Sequence, residues 1–130
     1  MSLNVSPDLL DQARGGEISD GAFVYTVRCS LPYAYQLIAG LAAELNRGSG
    51  IPFADNQVPP PGEAERGQLL RALASDSIRG SLERHFGVRL AFQNCHRVAA
   101  FRPGDSGPAY QEFISARSQV LNQSPALRNC

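Results

Sequence analysis

At 130 residues the chain fits one domain, residues 1–130, and roughly two thirds of its unfolded surface can be buried on folding. Twelve acidic residues balance twelve basic ones, so no overall field draws the protein toward nucleic acid or a membrane surface. The longest apolar run, Ile38 to Ala43, is broken by Gly40 and falls far short of the ~20 residues a membrane span needs.

The N-terminus, MSLNVSPDLL, lacks the basic start and apolar stretch of a signal peptide, and a cytoplasmic protein is expected. All twelve basic residues are Arg, which fits a GC-rich genome; whatever the cause, no side-chain amine is available for Schiff-base chemistry. Cys29, Cys95 and Cys130 form no CxxC pair and read as three free thiols. His85 and His96 are the only histidines and lack paired ligand spacing, so no metal is expected. No Gly-rich phosphate loop and no GxSxG elbow occurs, and no cofactor is expected.

In chain order, Ser6-Pro7 starts a helix with Ser as N-cap and Pro at N1, and Gly15-Gly16 stop it. Ser19 caps a second helix carrying Phe23, Val24 and Val27. Pro32 disfavours helix at Leu31, so the chain bends there and a third helix runs from about 32 to 46. Its apolar stripe is Tyr33/Ala34, Leu37/Ile38, Leu41/Ala42 and Leu45. Residues 47 to 62 read as one long irregular stretch with a stiff Pro59-Pro60-Pro61 segment, of a length that is functional or disordered. A long helix follows over 63 to 86, with Ser75-Asp76-Ser77 as the place for a kink or a split, and Gly87 at its end. Residues 88 to 92 and 98 to 101 form a β-hairpin. A last helix spans 109 to 120, and the tail LNQSPALRNC docks or frays. The fold class is therefore mainly α with a small β-hairpin (α+β), a compact helical domain. Because a two-stranded hairpin is marginal alone, it must lie on the helices or join a second copy; a homodimer is expected.

Gln93-Asn94-Cys95-His96-Arg97 is the densest polar cluster. It reads either as a hydrogen-bonding wall for a ligand or as turn chemistry that satisfies itself. Cys95 and His96 point to opposite faces of a strand and cannot pair there; a Cys95–His85 pair stays geometrically open. His85 suits a helix C-terminus as a cation. Arg66, Arg71, Arg79 and Arg84, interspersed with acids, read as a solvated or ion-paired face, while Arg71 or Arg79 has the fork to clamp a ligand carboxylate. In the long loop, Asp55-Asn56 are ligand-backbone contacts or turn formers, and Phe53 is an anchor for a ligand or a pin for the loop.

Five segments carry a resemblance: SLPYAY (30–35), FADNQVPPP (53–61), RGQLLRALASDSIRG (66–80), ERHFGVRLAFQNCHRVA (83–99) and LNQSP (121–125). They resemble a family of small actinobacterial proteins that includes the lysinoalanine synthases of cinnamycin- and duramycin-type lanthipeptide pathways. The resemblance implies a helical homodimer that binds a ribosomally made, modified peptide. A lysine amine of that peptide adds to its own dehydroalanine, with a substrate hydroxyaspartate as base. The protein's share is arrangement of the reacting groups, which can supply roughly 7–11 kcal/mol of a barrier. No catalytic residue is carried over. Polarity and placement nominate Phe53, Asp55, Asn56, Arg71, Arg79, Gln93, Asn94, His96 and Arg97 as substrate-binding, with no nucleic acid or membrane partner. Two other readings stay open: a binding or regulatory module without chemistry, and an enzyme using a Cys95 thiol.

Overall fold

The computed structural model describes residues 2–48 and 50–123. Three capped helices open the chain: α1 (Pro7–Gly15), α2 (Asp20–Ser30) and α3 (Pro32–Arg47). The expected caps are in place, with Ser6 Oγ accepting the Leu9 N–H and Ser19 Oγ accepting the Ala22 N–H, both at 3.1 Å. α3 has no local side-chain cap. Its first amides instead reach Gln68 Oε1, at 2.7 Å from Tyr33 N and 3.2 Å from Ala34 N, so a residue 35 positions away closes the helix. The bend at Leu31 drives that side chain into the core, where it is fully buried.

The expected long helix is two, α4 (Glu63–Leu73) and α5 (Asp76–Phe86). Ser75 leaves the helical conformation and caps α5 through the Ile78 N–H at 3.3 Å, while Arg79 Nη1 donates to the Leu73 carbonyl that α4 leaves open. Gly87, at φ 64°, takes the left-handed position that ends α5.

The hairpin strands are β2 (Arg89–Gln93) and β3 (Arg97–Phe101), in register from Arg89↔Phe101 to Gln93↔Arg97. Asn94 and Cys95 both have positive φ, 56° and 50°, which matches the turn geometry that right-twisted hairpins favour. A third strand, β1 (Ala54–Asp55), lies inside the stretch expected to be irregular. It pairs antiparallel with β3, giving the sheet order β1-β3-β2. The polypeptide thus solves the marginal-hairpin problem within itself. Two short helices follow, α6 (Pro108–Phe113) and α7 (Ala116–Leu121), where one was expected. Ser115 breaks them by capping α7 through the Ser118 N–H at 3.0 Å.

Both faces of the sheet are covered. Leu90, Val98 and Ala100 face a core built with Val27, Leu31, Ile38, Leu69, Ile78 and Leu82 from α2 to α5. Ala91, Ala99 and Phe101 face Tyr110 and Phe113 of α6, with Phe53 packed alongside. Truncating a fully buried side chain such as Leu31 or Leu82 costs about 2–5 kcal/mol. The architecture is mainly helical with a small antiparallel sheet. Among the described residues no helix is long and apolar enough to cross a membrane.

Cys95 does not stand as a free thiol: it is disulfide-bonded. Cys29 is free and exposed, and Cys130 lies outside the described residues. The expectation of a free thiol thus holds for Cys29 and fails for Cys95, which as a bonded cysteine offers no nucleophilic thiolate.

Candidate functional site: the groove between the long loop and the hairpin

The long loop and the hairpin, about 40 residues apart in sequence, come together through Asn56. Its Oδ1 accepts the Val98 N–H at 2.8 Å, and its Nδ2 donates to the carbonyls of His96 at 2.7 Å and Val58 at 3.3 Å. The Asn56 amide itself reaches the Val98 carbonyl at 3.3 Å, extending the β1 ladder by one residue. Next to it, Asp55 and Arg97 form a charge-assisted pair at 2.7 Å with both side chains largely buried. Arg97 also lies 4.8 Å from the centre of the Phe113 ring and donates to Gln93 Oε1 at 3.3 Å.

These contacts frame a polar depression of about 340 Å³ lined by Asp55, Asn56, Gln57, Pro59, His96 and Arg97. It runs through Asp55, Asn56, Gln57 and Pro59 into a larger, mainly apolar groove of about 650 Å³. One wall of that groove is a single face of α3: Tyr33, Leu37, Gly40, Leu41 and Glu44. The other wall is Val58, Pro59 and Pro61. Val58 is 74% exposed, an apolar side chain held out over the groove. Gly40 sits mid-helix with nothing within 4 Å of where a Cβ would be. Burial, aided by the charge of Glu65, raises the pKa of the Tyr33 phenol above its ordinary value.

The nominated residues divide into three groups. Asp55, Asn56, His96 and Arg97 line the polar end together. Phe53, Gln93 and Asn94 are turned to other work. Phe53 stacks on Phe101 at 5.0 Å between ring centres, so it pins the loop to the core. Gln93 is buried, and its Nε2 donates to Phe113 O at 3.0 Å and Ser118 Oγ at 2.9 Å. Asn94 holds the turn to the last helix, donating to the Asn122 carbonyl at 2.6 Å and accepting from the Gln119 and Gln123 amides. Arg71 and Arg79 stand apart. Arg71 lines a shallow depression with Gly67, Leu70, Ala74 and Ser75, and Arg79 lines a groove beside β2. Arg79 is also held by Asp76 at 2.7 Å.

Sequence reasoning missed the α3 wall. Leu41 is in the core as its stripe predicts, and Tyr33 and Leu37 pack half-buried against it, but periodicity cannot tell which edge of a stripe a neighbouring loop will leave open. Gly40 was the available signal, because glycine inside a helix costs up to about 1 kcal/mol and marks a place where bulk is unwelcome or unneeded.

His85 packs edge-on against Phe86, with its Nε2 3.3 Å from the Tyr35 hydroxyl, well away from this groove. Among the described residues no group of three or more His, Cys, Asp or Glu side chains is placed to hold a metal ion.

No curated protein and no solved structure matches the chain. A family model described as NucS shadow ORF matches residues 1–130, and the chain belongs to that family.

Proposed function

We propose that the protein is a peptide-binding module that holds an extended segment in the groove between α3 and the long loop. The observation that carries this reading is the groove's construction. A stiff Pro59-Pro60-Pro61 wall and an Asn56 side chain locked at both ends leave little to order when a ligand arrives. Its apolar length suits side chains, and its polar end offers hydrogen-bonding groups for a peptide backbone.

The resemblance to lysinoalanine synthases gives this reading a chemical form. In it, the protein folds a peptide so that a lysine nitrogen bonds to the terminal carbon of a dehydroalanine. A proton leaves the amine and one is added at the α-carbon, so the mass of the peptide is unchanged. The chain's lack of lysine fits such a role, since it presents no side-chain amine of its own to the alkene. The alternative form is binding alone, as a regulatory contact. The family description, NucS shadow ORF, names a reading frame and neither a ligand nor a reaction.

A nucleic-acid reading would need a backbone clamp, such as the GXXG loop by which KH modules hold four nucleotides. The GXXG in this sequence is Gly104-Asp105-Ser106-Gly107. There Asp105 Oδ1 already accepts the Gly107 N–H at 2.8 Å, so that amide is taken and the carboxylate beside it repels a phosphate. That disfavours a nucleic-acid clamp at this loop.

The test is selection from a displayed library of random decapeptides, repeated with Val58→Asp, which alters an exposed side chain. Peptides lost with the variant support the groove; peptides retained at full strength remove it. Incubating the protein with a synthetic peptide bearing lysine and dehydroalanine, then following thiol-reactive alkene and fragmentation, separates the chemical form from binding alone.

A further inference from the structure

Among the described residues the β2 edge of the sheet is open, and it lies in a groove of its own. Val98, opposite Phe92 in the β2–β3 register, turns its N–H and C=O to Asn56 on the far side. Phe92 and Leu90, two residues apart, therefore turn their backbone groups away from β3. The Leu90 N–H, so exposed, is taken by Glu83 Oε2 at 2.9 Å. Among the described residues nothing bonds the Phe92 N–H, the Phe92 carbonyl or the Leu90 carbonyl. Edge strands left with such groups pair with other chains unless they are covered.

This edge is the floor of a groove of about 560 Å³. Leu73 of α4 with Arg79 and Glu83 of α5 make one wall, and Tyr110 of α6 with Ile114 makes the other. Ile114 is 51% exposed, an apolar group at the rim. A second copy of the chain carries the same walls beside its own β2, so two recessed edges cannot meet. A single extended strand can enter. Charge narrows the choice further. Arg79 is ion-paired with Asp76, and Glu83 accepts from the Leu90 amide while keeping its negative charge. Arg89 lies 3.8 Å over the centre of the Tyr110 ring and donates to the Asp105 carbonyl at 2.7 Å, with no carboxylate partner among the described residues. It is the cation on the α6 side of the edge, while the Glu83 carboxylate, bonded only to a neutral amide, is an anion on the α5 side.

We infer that the β2 edge is a second peptide-binding surface, which takes an extended segment by strand addition, with an acidic side chain placed on Arg89. Three backbone bonds, to the Phe92 N–H and to the carbonyls of Phe92 and Leu90, hold the segment. Apolar side chains fill the space between Leu73 and Ile114. The inference rests on different residues from the α3 groove and stands or falls separately.

The experiment uses the full chain and the same displayed decapeptide library, selected against wild type, Ile114→Asp and Val58→Asp. The expected result is a group of peptides carrying Asp or Glu within an apolar stretch, lost at least tenfold with Ile114→Asp and retained with Val58→Asp. Amide exchange by NMR then places them: saturating a selected peptide slows exchange of the Phe92 N–H at least tenfold. Circular dichroism checks that Ile114→Asp stays folded. Three results overturn the inference. One is that no peptides are lost with Ile114→Asp, and another is that selected peptides leave Phe92 exchange unchanged. The third is slowing of that exchange by protein concentration alone or by a single-stranded oligonucleotide, which would give the edge to a second copy or to nucleic acid.

Discussion

Replacing Asn56 by Ala removes the side chain that bonds the long loop to the backbone of β3, beside the Asp55–Arg97 pair and the Phe53–Phe101 stack. Three hydrogen bonds go, to Val98 N, His96 O and Val58 O. At about 1 kcal/mol net for each, the loss is about 3 kcal/mol. The Val98 amide dominates, because that residue is completely buried and water cannot replace the lost acceptor. Unfolding entropy near 2.1 cal/mol/K per residue gives a chain of this length about 0.27 kcal/mol/K. The midpoint of thermal unfolding should therefore fall by about 11 °C, read by circular dichroism at 222 nm. Gln57→Ala is the control. Its side chain is exposed and reaches only Asp55, so it should move the midpoint by less than about 2 °C. Equal shifts for the two variants, or a fall under about 3 °C for Asn56→Ala, would refute the reasoning.

Further expectations concern other parts of the fold. Gly40→Ala should stabilise α3 by about 0.5–1 kcal/mol in denaturant unfolding, since its Cβ meets nothing, yet weaken any peptide bound over that face. Gln93→Leu should cost about 2–3 kcal/mol by chemical denaturation, leaving the Phe113 carbonyl and Ser118 hydroxyl without their shared donor. Gly87→Ala should cost about 1 kcal/mol by the same measurement, because a Cβ is strained at that left-handed position. The Asp20–Arg84 pair gives a pH-dependent term. The Arg84 guanidinium, bonded to Asp20, holds that carboxyl below its ordinary pKa. Its contribution is present above the unfolded-state value near pH 3.9 and is lost as pH falls through the lower folded-state value. Both side chains are 61% exposed, so the difference between wild type and Asp20→Asn should be small and vanish in 1 M salt as well as in acid.

Local chemistry announces itself in this chain wherever a helix is closed by its own neighbours. Ser6-Pro7, Ser19 and Gly87 set helix ends to within a residue, because a cap bonds amides only two or three positions away. The hairpin was equally legible from its alternation and its turn. By contrast, β1 is two residues long and has no pattern of its own. It exists because β3, 46 residues further on, offers Ala100 to Ala54. The polar end of the groove was half visible: Asp55, Asn56, His96 and Arg97 were nominated by residue type, but Gln93, chosen for the same polarity, faces inward to Phe113 and Ser118.

The amino-acid order alone determined the helical class, most helix starts, the bend at Leu31 and the hairpin, since each follows from backbone sterics or bonds within a few residues. Only the tertiary structure decided that Gln68 closes α3, that Asn56 joins the loop to β3, and that β2 lies along the floor of a groove between α5 and α6. The reason is physical: a buried amide needs a partner from whatever surface packs beside it. Which surface arrives there depends on how the whole chain folds.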